Sequence, residues 1–304
     1  MANPAYVAVD WGTSSFRLWL IGKDGSVLAE RRSGEGMTSA AKAGFSQVLA
    51  GHLAAVEAPE NLPVIVCGMA GARQGWVEAG YIDVPAPLAA ILTAAVSVPG
   101  GSRDIRILPG LAQRDMATPD VMRGEETQLL GALGSASAGA QAVCMPGTHS
   151  KWVHVGDGKV TGFSTFMTGE LFDVISKHTI LSHAVAGAQE QPADAAAFEA
   201  AVSAAFARPA LASNLLFTAR SGQLLHGISA ASAQARLSGT LIGLEIAGAL
   251  QDAANSGITL VASGRLQALY EQAFKTLSLP FTAIDADAAV RRGLSAAAEA
   301  IWPN

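Results

Sequence analysis

A chain of 304 residues exceeds what a single hydrophobic core usually serves, so two lobes are expected. Half of the residues are hydrophobic and only 15% are charged, which excludes a disordered or fibrous chain and suits a compact enzyme. The formal net charge of −5 leaves no basic surface for general nucleic-acid binding, so any anionic ligand must be held by a local cluster of donors.

Residues 5–20 read as a hairpin. Alternating apolar residues run from Tyr6 to Val9 and again from Phe16 to Leu20, and Asp10 closes the first strand. Between them stand Gly12, Thr13, Ser14 and Ser15. This turn can serve a phosphate: Gly12 permits close backbone approach, the other three add hydroxyls and N–H donors, and Asp10 can hold a hydrated Mg²⁺. The plain alternative is a tight hairpin with a polar tip. Arg17, on the second strand, has two competing uses, pairing a buried acid or touching phosphate. A third strand is expected at 26–30 and a helix over 44–56. The apolar run 62–67 fits a strand buried on both faces and ends at Gly68-Met69-Ala70-Gly71, the kind of strand end where open α/β sheets bind ligands. Arg73, just beyond, can pair with a carboxylate in two-point fashion; Trp76 either walls a pocket or packs in the core.

Another strand is expected at 105–108. Next comes the polar cluster Arg123-Gly124-Glu125-Glu126-Thr127-Gln128, directly before a helix at 129–133. Acids in a first helical turn are ordinary, because the helix dipole favours them. A sharper use is to orient a hydroxyl and accept its proton during phosphoryl transfer. The second half repeats the opening pattern. A strand at 142–145 ends in Pro146-Gly147-Thr148-His149-Ser150-Lys151, and 152–155 and 160–166 form a strand–turn–strand unit around the turn 156–159. Gly147 and Thr148 suit phosphates. Lys151 either neutralises an anion or is solvated, and His149 either contacts substrate or is a structural imidazole. Glu170, in Thr168-Gly169-Glu170, either binds hydroxyls or starts a helix. The alanine-rich region 184–254 reads as helical, 258–262 as a buried strand closed by Ser263-Gly264-Arg265-Leu266, and 287–301 as a terminal helix.

Several classes find no support. The P-loop pattern, G-x-G-x-x-G and G-x-S-x-G are all missing from the sequence. His178 and His183 are five apart with no nearby cysteine, which argues against zinc. Cys67 and Cys144 sit in apolar runs and read as buried free thiols of a reducing, cytoplasmic setting. The opening MANPAY has neither a basic nor a long apolar segment, so no signal peptide is expected. The stretch 236–250 is interrupted by polar residues and too short to span a bilayer, so no membrane is expected.

Two lobes that each open with a hairpin tipped by Gly-Thr resemble the actin-like (hexokinase-like, ribonuclease H-like) ATPase fold, an α/β fold with a nucleotide cleft between its lobes. Asp10-Trp11-Gly12-Thr13-Ser14 resembles its first phosphate loop, Pro146-Gly147-Thr148 its second, and Ala262-Ser263-Gly264-Arg265-Leu266 its adenosine loop. The motifs VDWGTSSFRLW, GMAGARQGW, VPAP, PGL, VMRGEETQLLGA, MPGTHSKWV and TFMTGEL, in this order, resemble the 2-dehydro-3-deoxygalactonokinase family across the chain to residue 266.

The resemblance implies transfer of the ATP γ-phosphate to the 6-hydroxyl of 2-dehydro-3-deoxy-D-galactonate, a step of galactonate catabolism. Glu126 is then the first choice for the base and Glu125 the second, with Glu in place of the Asp usual among related kinases. Asp10 positions Mg²⁺ through water. Gly12, Thr13, Ser14, Ser15, Gly147 and Thr148 hold the phosphates, Ser263 and Gly264 the adenosine. Arg73, Trp76, Arg123, His149, Lys151 and Glu170 fall to the sugar acid. The expected organisation is 1–122 as N-terminal lobe, 123–287 as C-terminal lobe, and 288–304 as a helix returning to the N-terminal lobe. Two alternatives stay open: a kinase of the same fold for another sugar acid or polyol, and an actin-like ATPase that phosphorylates no metabolite. A homo-oligomer is also left open.

Overall fold

The computed structural model describes residues 3–134, 139–251 and 257–303. The chain divides into two compact units. The first comprises 1–140, 154–163 and 284–304, the second 141–153 and 164–283. The expected boundary after residue 122 is therefore displaced to 140, and residues 284–287 return to the first unit with the terminal helix.

In the first unit, β1 (Pro4–Trp11), β2 (Phe16–Gly22) and β3 (Val27–Ser33) form an antiparallel meander. Two helices follow, α1 (Met37–Ala43) and α2 (Phe45–Ala55), where one was expected; Gly44 separates them at φ 95°, a conformation that ends α1 and restarts the chain. Then come β4 (Val64–Gly68), β5 (Tyr81–Asp83), β6 (Ala86–Pro87), α3 (Ala90–Thr93), β7 (Val96–Ser97), β8 (Ile105–Ile107), β9 (Gly110–Gln113), β10 (Asp120–Met122) and α4 (Glu125–Leu133). The main sheet has the order β3-β2-β1-β4-β8-β7, with β1, β4 and β8 parallel. Every residue of β4 is buried, as its unbroken apolar run requires of a strand covered on both faces.

In the second unit, β11 (Ala140–Met145), β12 (Ser150–Gly156) and β13 (Lys159–Phe166) are followed by α5 (Thr168–His178), α6 (Ser182–Val185), α7 (Ala195–Ala207), α8 (Ala212–His226) and α9 (Ala230–Ala249). Among the described residues the alanine-rich region is thus four α-helices with short 3-10 turns at Ala188–Glu190 and Pro209–Leu211; residues 252–254, at the end of that expectation, lie outside the described residues. Last come β14 (Ile258–Ala262), α10 (Gly264–Thr276), β15 (Phe281–Asp285) and α11 (Ala286–Ile301). The strand order is β15-β14-β11-β12-β13, and β11 and β14 run parallel. The far end of the β12–β13 hairpin belongs to the first unit, where Lys159 and Val160 pair with Pro87 and Ala86 of β6.

Helix α11 belongs to the first unit, packing on α4, α3, β1 and β4. Its crossing with α4 is made of glycine on both sides. A Cβ at Gly131 would strike the Ala289 carbonyl, and one at Gly293 the Thr127 carbonyl. Two helices approach this closely only where side chains are absent. In the second unit α9 meets α7 closely through glycines on α9 alone, Gly239 and Gly243, which lie against the Phe198 and Val202 carbonyls. Both cysteines are buried and free. Among the described residues no single helix is long and apolar enough to cross a membrane.

Candidate active site

The first turn takes its shape from backbone closure. The Gly12 amide donates to the Ser15 carbonyl at 2.9 Å, so it is spent on the turn, and Thr13, Ser14 and Ser15 stand exposed. The segment before α1 braces the tip from outside: Met37 N–H donates to Gly12 O and Thr38 N–H to Thr13 O. Gly36 is obligatory there, because a Cβ would lie 2.5 Å from Ser14 N and Thr13 O. This bracing segment was not singled out in the sequence, although its S-G-E-G pattern is a turn signal. Behind it the buried His52 ring stacks on Phe16 and bonds Glu35 at 2.9 Å.

At the base of this turn Asp10 pairs across the hairpin with Arg17. Arg17 also pairs with Asp287 in the first turn of α11, and Arg32 joins Asp287 at 2.8 Å. Of its two competing uses, Arg17 here pairs acids. Burial works to lower its pKa, but the two carboxylates outweigh it and the guanidinium is held more firmly charged.

In the parallel register Asp10 faces Cys67 and Trp11 faces Gly68. Gly68 has φ 90°, and a Cβ there would sit 2.7 Å from the Trp11 carbonyl and 3.4 Å from Asp10 Oδ1. Gly124, at φ 107°, would place a Cβ 3.4 Å from the Gly68 Cα. Two glycines thereby bring the start of α4 against the ends of β1 and β4. There Glu126 is fully buried; Oε2 accepts from Gly124 N–H at 2.7 Å and Oε1 from Thr127 Oγ1 at 3.0 Å. Burial, reinforced by the neighbouring Glu125, pushes its carboxyl up to about 8. The Cys67 thiol is raised by burial and then by Asp10 and Glu126, so all three groups share one environment. Glu125 is half-buried and accepts from Arg123 N–H at 3.0 Å.

The remaining expected residues of this unit differ in placement. Arg73 is exposed, with no partner among the described residues. Trp76 is half-buried against Trp11 and stacks on Phe45 at 6.0 Å, so it packs with the core. Arg123 is committed to backbone, donating to Ala79 O at 3.1 Å and Gly80 O at 2.9 Å with its guanidinium over Tyr81. Both side chains hold the loops after β4 in place.

In the second unit the turn 146–149 follows β11, and α5 begins against it. Glu170 N–H donates to Thr148 O at 3.0 Å, and a Cβ on Gly169 would lie 2.5 Å from Gly147 O and 2.8 Å from Thr148 Cα. His149 and Glu170 form a half-exposed pair at 2.5 Å. Lys151 is buried, 6% exposed, with Nζ donating to Thr165 Oγ1 at 2.7 Å, which removes the solvated-lysine reading. Gly264 opens α10 at φ 61° and is exposed, with Ser263 before it. A cavity of about 230 Å³ lies between Gly147, the start of α5, α9 and the first two turns of α10. Gly147, Thr168, Gly169, Phe172, Leu241, Ile242, Leu266 and Leu269 line it, with Arg265 at its side. An apolar slot with a few polar groups at its rim has the chemistry of a small-molecule pocket.

Known proteins place these features in a family. Residues 10–297 match the family described as 2-keto-3-deoxy-galactonokinase. The chain is 67% identical, over 98% of both lengths, to "Probable 2-dehydro-3-deoxygalactonokinase DgoK1" of Rhizobium meliloti (strain 1021). It is 36% identical to 2-dehydro-3-deoxygalactonokinase of Escherichia coli (strain K12), covering 97% of this chain and 98% of that one. A crystal structure of a Sinorhizobium meliloti protein assigned the same kinase name superposes with a TM-score of 0.93 at 65% identity, covering 98% of this chain and 100% of that one. The ADPNP-bound activator of 2-hydroxyisocaproyl-CoA dehydratase from Clostridium difficile, at 11% identity and a TM-score of 0.50 over 97% and 95% of the two chains, shares the fold alone. The fold is the two-lobed actin-like ATPase fold, and the chain belongs to the 2-keto-3-deoxy-galactonokinase family.

Proposed function

We propose that this chain is a sugar-acid kinase that transfers the ATP γ-phosphate to the 6-hydroxyl of 2-dehydro-3-deoxy-D-galactonate, acting in the cytoplasm on a free small molecule. The observation that carries the reading is the buried Glu126, which with Asp10 acts on the Cys67 thiol, in a chain 67% identical to a relative bearing that activity's name. Each unit contributes a phosphate-binding turn: Thr13, Ser14 and Ser15 in the first, with Gly12 shaping it, and Gly147 and Thr148 in the second. The cavity beside Ser263 and Gly264 takes the nucleoside.

Glu126 is the base. A carboxyl with a pKa near 8 holds a proton far more strongly than an ordinary carboxylate, so it is suited to take the hydroxyl proton as the bond to phosphorus forms. The electron pair of that hydroxyl oxygen attacks phosphorus, and the bond from phosphorus to the ADP oxygen breaks. Arg73 is the group for the substrate carboxylate, His149 and Glu170 are the groups for its hydroxyls, and Lys151, held by Thr165, adds positive charge beneath them. Arg123 and Trp76 support the loop that carries Arg73.

The residues fit a hydrated Mg²⁺. Among the described residues no cluster of three or more acids, histidines or cysteines would cage a metal. Asp10 Oδ1 takes a long 3.8 Å contact from the Cys67 thiol and can still face a water shell, while its other oxygen pairs with Arg17. One carboxylate is what an ion held mainly by phosphates and water requires. Bound there, the ion would offset charge on the phosphates.

A Gly169→Ala change should displace the second turn, since its new carbon meets backbone that has no room to yield. A displacement near 1 Å costs about 100-fold in kcat/KM. Steady-state kinetics, with a thermal melt as a check on folding, measure it; kcat/KM within twofold of wild type would remove that turn from the site. The substrate itself is tested by coupled ADP release across epimeric 2-keto-3-deoxy sugar acids, aldonic acids and polyols. The galacto keto acid should give the highest kcat/KM. Turnover that is equal with and without acceptor would instead support an ATPase.

A further inference from the structure

Glu245, midway along α9, is an acid that the proposed chemistry does not use. It is 1% exposed. Its Oε1 accepts from Trp152 Nε1 at 2.8 Å, its Oε2 from Tyr270 Oη at 2.7 Å and from Thr168 Oγ1. Tyr270 also contacts Ser150 Oγ at 3.1 Å. Burial raises the carboxyl above its ordinary range, and the donors from Thr168, Trp152, Tyr270 and Ser150 pull against that.

These partners are not scattered. Ser150 and Trp152 open β12, directly after the Gly147-Thr148 turn. Thr168 is the first residue of α5 and precedes Gly169 and Glu170. Tyr270 lies on α10, whose first residue is Gly264. Both Thr168 and Tyr270 also line the apolar cavity. Core packing alone does not account for an acid here, because hydrophobic residues of similar volume commonly replace buried ionic groups without loss of stability. A fully satisfied buried network instead fixes one arrangement of the elements it joins.

Resting on the kinase reading, we infer that Glu245 is a positioning residue: one carboxylate ties the second phosphate turn, the Gly169–Glu170 segment and the nucleoside helix into a single rigid set. Holding those parts in register before nucleotide arrives lowers the entropy lost on binding and keeps the transferring phosphate aligned.

The test uses Glu245→Gln, Thr168→Val, Thr168→Ser and the double variant Glu245→Gln/Thr168→Val in the full chain. Glutamine preserves volume and leaves an oxygen for the Trp152 N–H, which can only donate. Affinity is read with a fluorescent ATP analogue, kcat and KM by coupled ADP release, both well below each variant's Tm. Glu245→Gln and Thr168→Val should each weaken analogue binding about tenfold and lower kcat about 10- to 100-fold. Thr168→Ser, which keeps the hydroxyl, should lose less affinity and less kcat than Thr168→Val. The double variant should be no worse than Glu245→Gln, since both changes remove one contact. Folded Glu245→Gln with wild-type affinity and kcat, or additive losses in the double variant, would overturn the proposal. If Glu245→Gln does not fold, the Thr168 pair decides by the same criterion. A wild-type chain that binds the analogue but phosphorylates no sugar acid overturns the kinase reading alone, and the affinity comparison then decides the role of Glu245.

Discussion

Glu126→Gln should lower kcat by about 10²- to 10⁴-fold while leaving ATP affinity within a few-fold of wild type, the range expected for loss of a general base. The amide fits the site: its oxygen accepts from Gly124 N–H and its NH₂ can donate to Thr127 Oγ1, the two groups that hold the carboxyl now. The half-buried Glu125 is the internal comparison, and Glu125→Gln should cost less than tenfold. The reverse order would move the base by one residue. Wild-type kcat/KM should rise with pH and level off above about 8, because the carboxyl must lose its proton before it can act. Stability carries the opposite sign. The carboxyl keeps its proton to about 8 when folded but only to its ordinary 4.5 when unfolded. The folded state therefore binds more protons between those values, and this group's contribution to stability declines as pH rises through that window. Glu126→Gln cannot ionise, so its Tm should fall less than that of wild type between pH 5 and pH 8. Parallel Tm curves for the two proteins would count against a buried, proton-retaining acid.

Gly293→Ala should be among the most damaging small changes at a residue that touches no ligand. In an ordinary helix interior alanine gains about 1 kcal/mol over glycine. Here the added carbon runs into the Thr127 carbonyl and lies 3.0 Å from Thr127 Cγ2, so overpacking dominates at a cost of about 3 kcal/mol or more. Thr127 lies one residue after Glu126, and pushing α4 off α11 moves the base with it. A Tm drop of roughly 6–12 °C is expected at the few degrees per kcal/mol typical of larger domains. A fall in kcat/KM of about 100-fold should accompany it. Gly51→Ala on α2, where a Cβ meets nothing within 4 Å, is the matched control and should be neutral or slightly stabilising. If Gly293→Ala melts like Gly51→Ala, the α4–α11 crossing is looser than described.

What the sequence made legible were features decided locally. The Asp10 hairpin follows from period-two alternation around a Gly-Thr-Ser-Ser turn, β4 from an unbroken apolar run, and the start of α4 from a glycine followed by two acids. What it hid depends on partners distant along the chain. The lobe boundary moved because α4 packs on α11, some 160 residues away, through the paired glycines 131 and 293, and no local pattern marks that pairing. Trp76 and Arg123 carry chemistry suited to a pocket, and their contacts with Phe45, Trp11, Ala79 and Gly80 could not be read from the sequence. Lys151 went the other way: a lysine in a hairpin is usually solvated, and here Thr165 receives it in a buried position. Glu245 was invisible as a site residue, since in the sequence it only interrupts the apolar stretch 236–250, and its donors come from segments distant along the chain.

Phosphorus NMR of a mixture of ATP, Mg²⁺, 2-dehydro-3-deoxy-D-galactonate and the enzyme tests the proposed transfer most directly. The γ-phosphate signal should be replaced by a phosphomonoester whose phosphorus couples to the two C6 protons, and the Glu126→Gln enzyme should leave ATP intact over the same interval. Free orthophosphate accumulating at one rate whether or not the sugar acid is present, with no ester formed, would contradict the account.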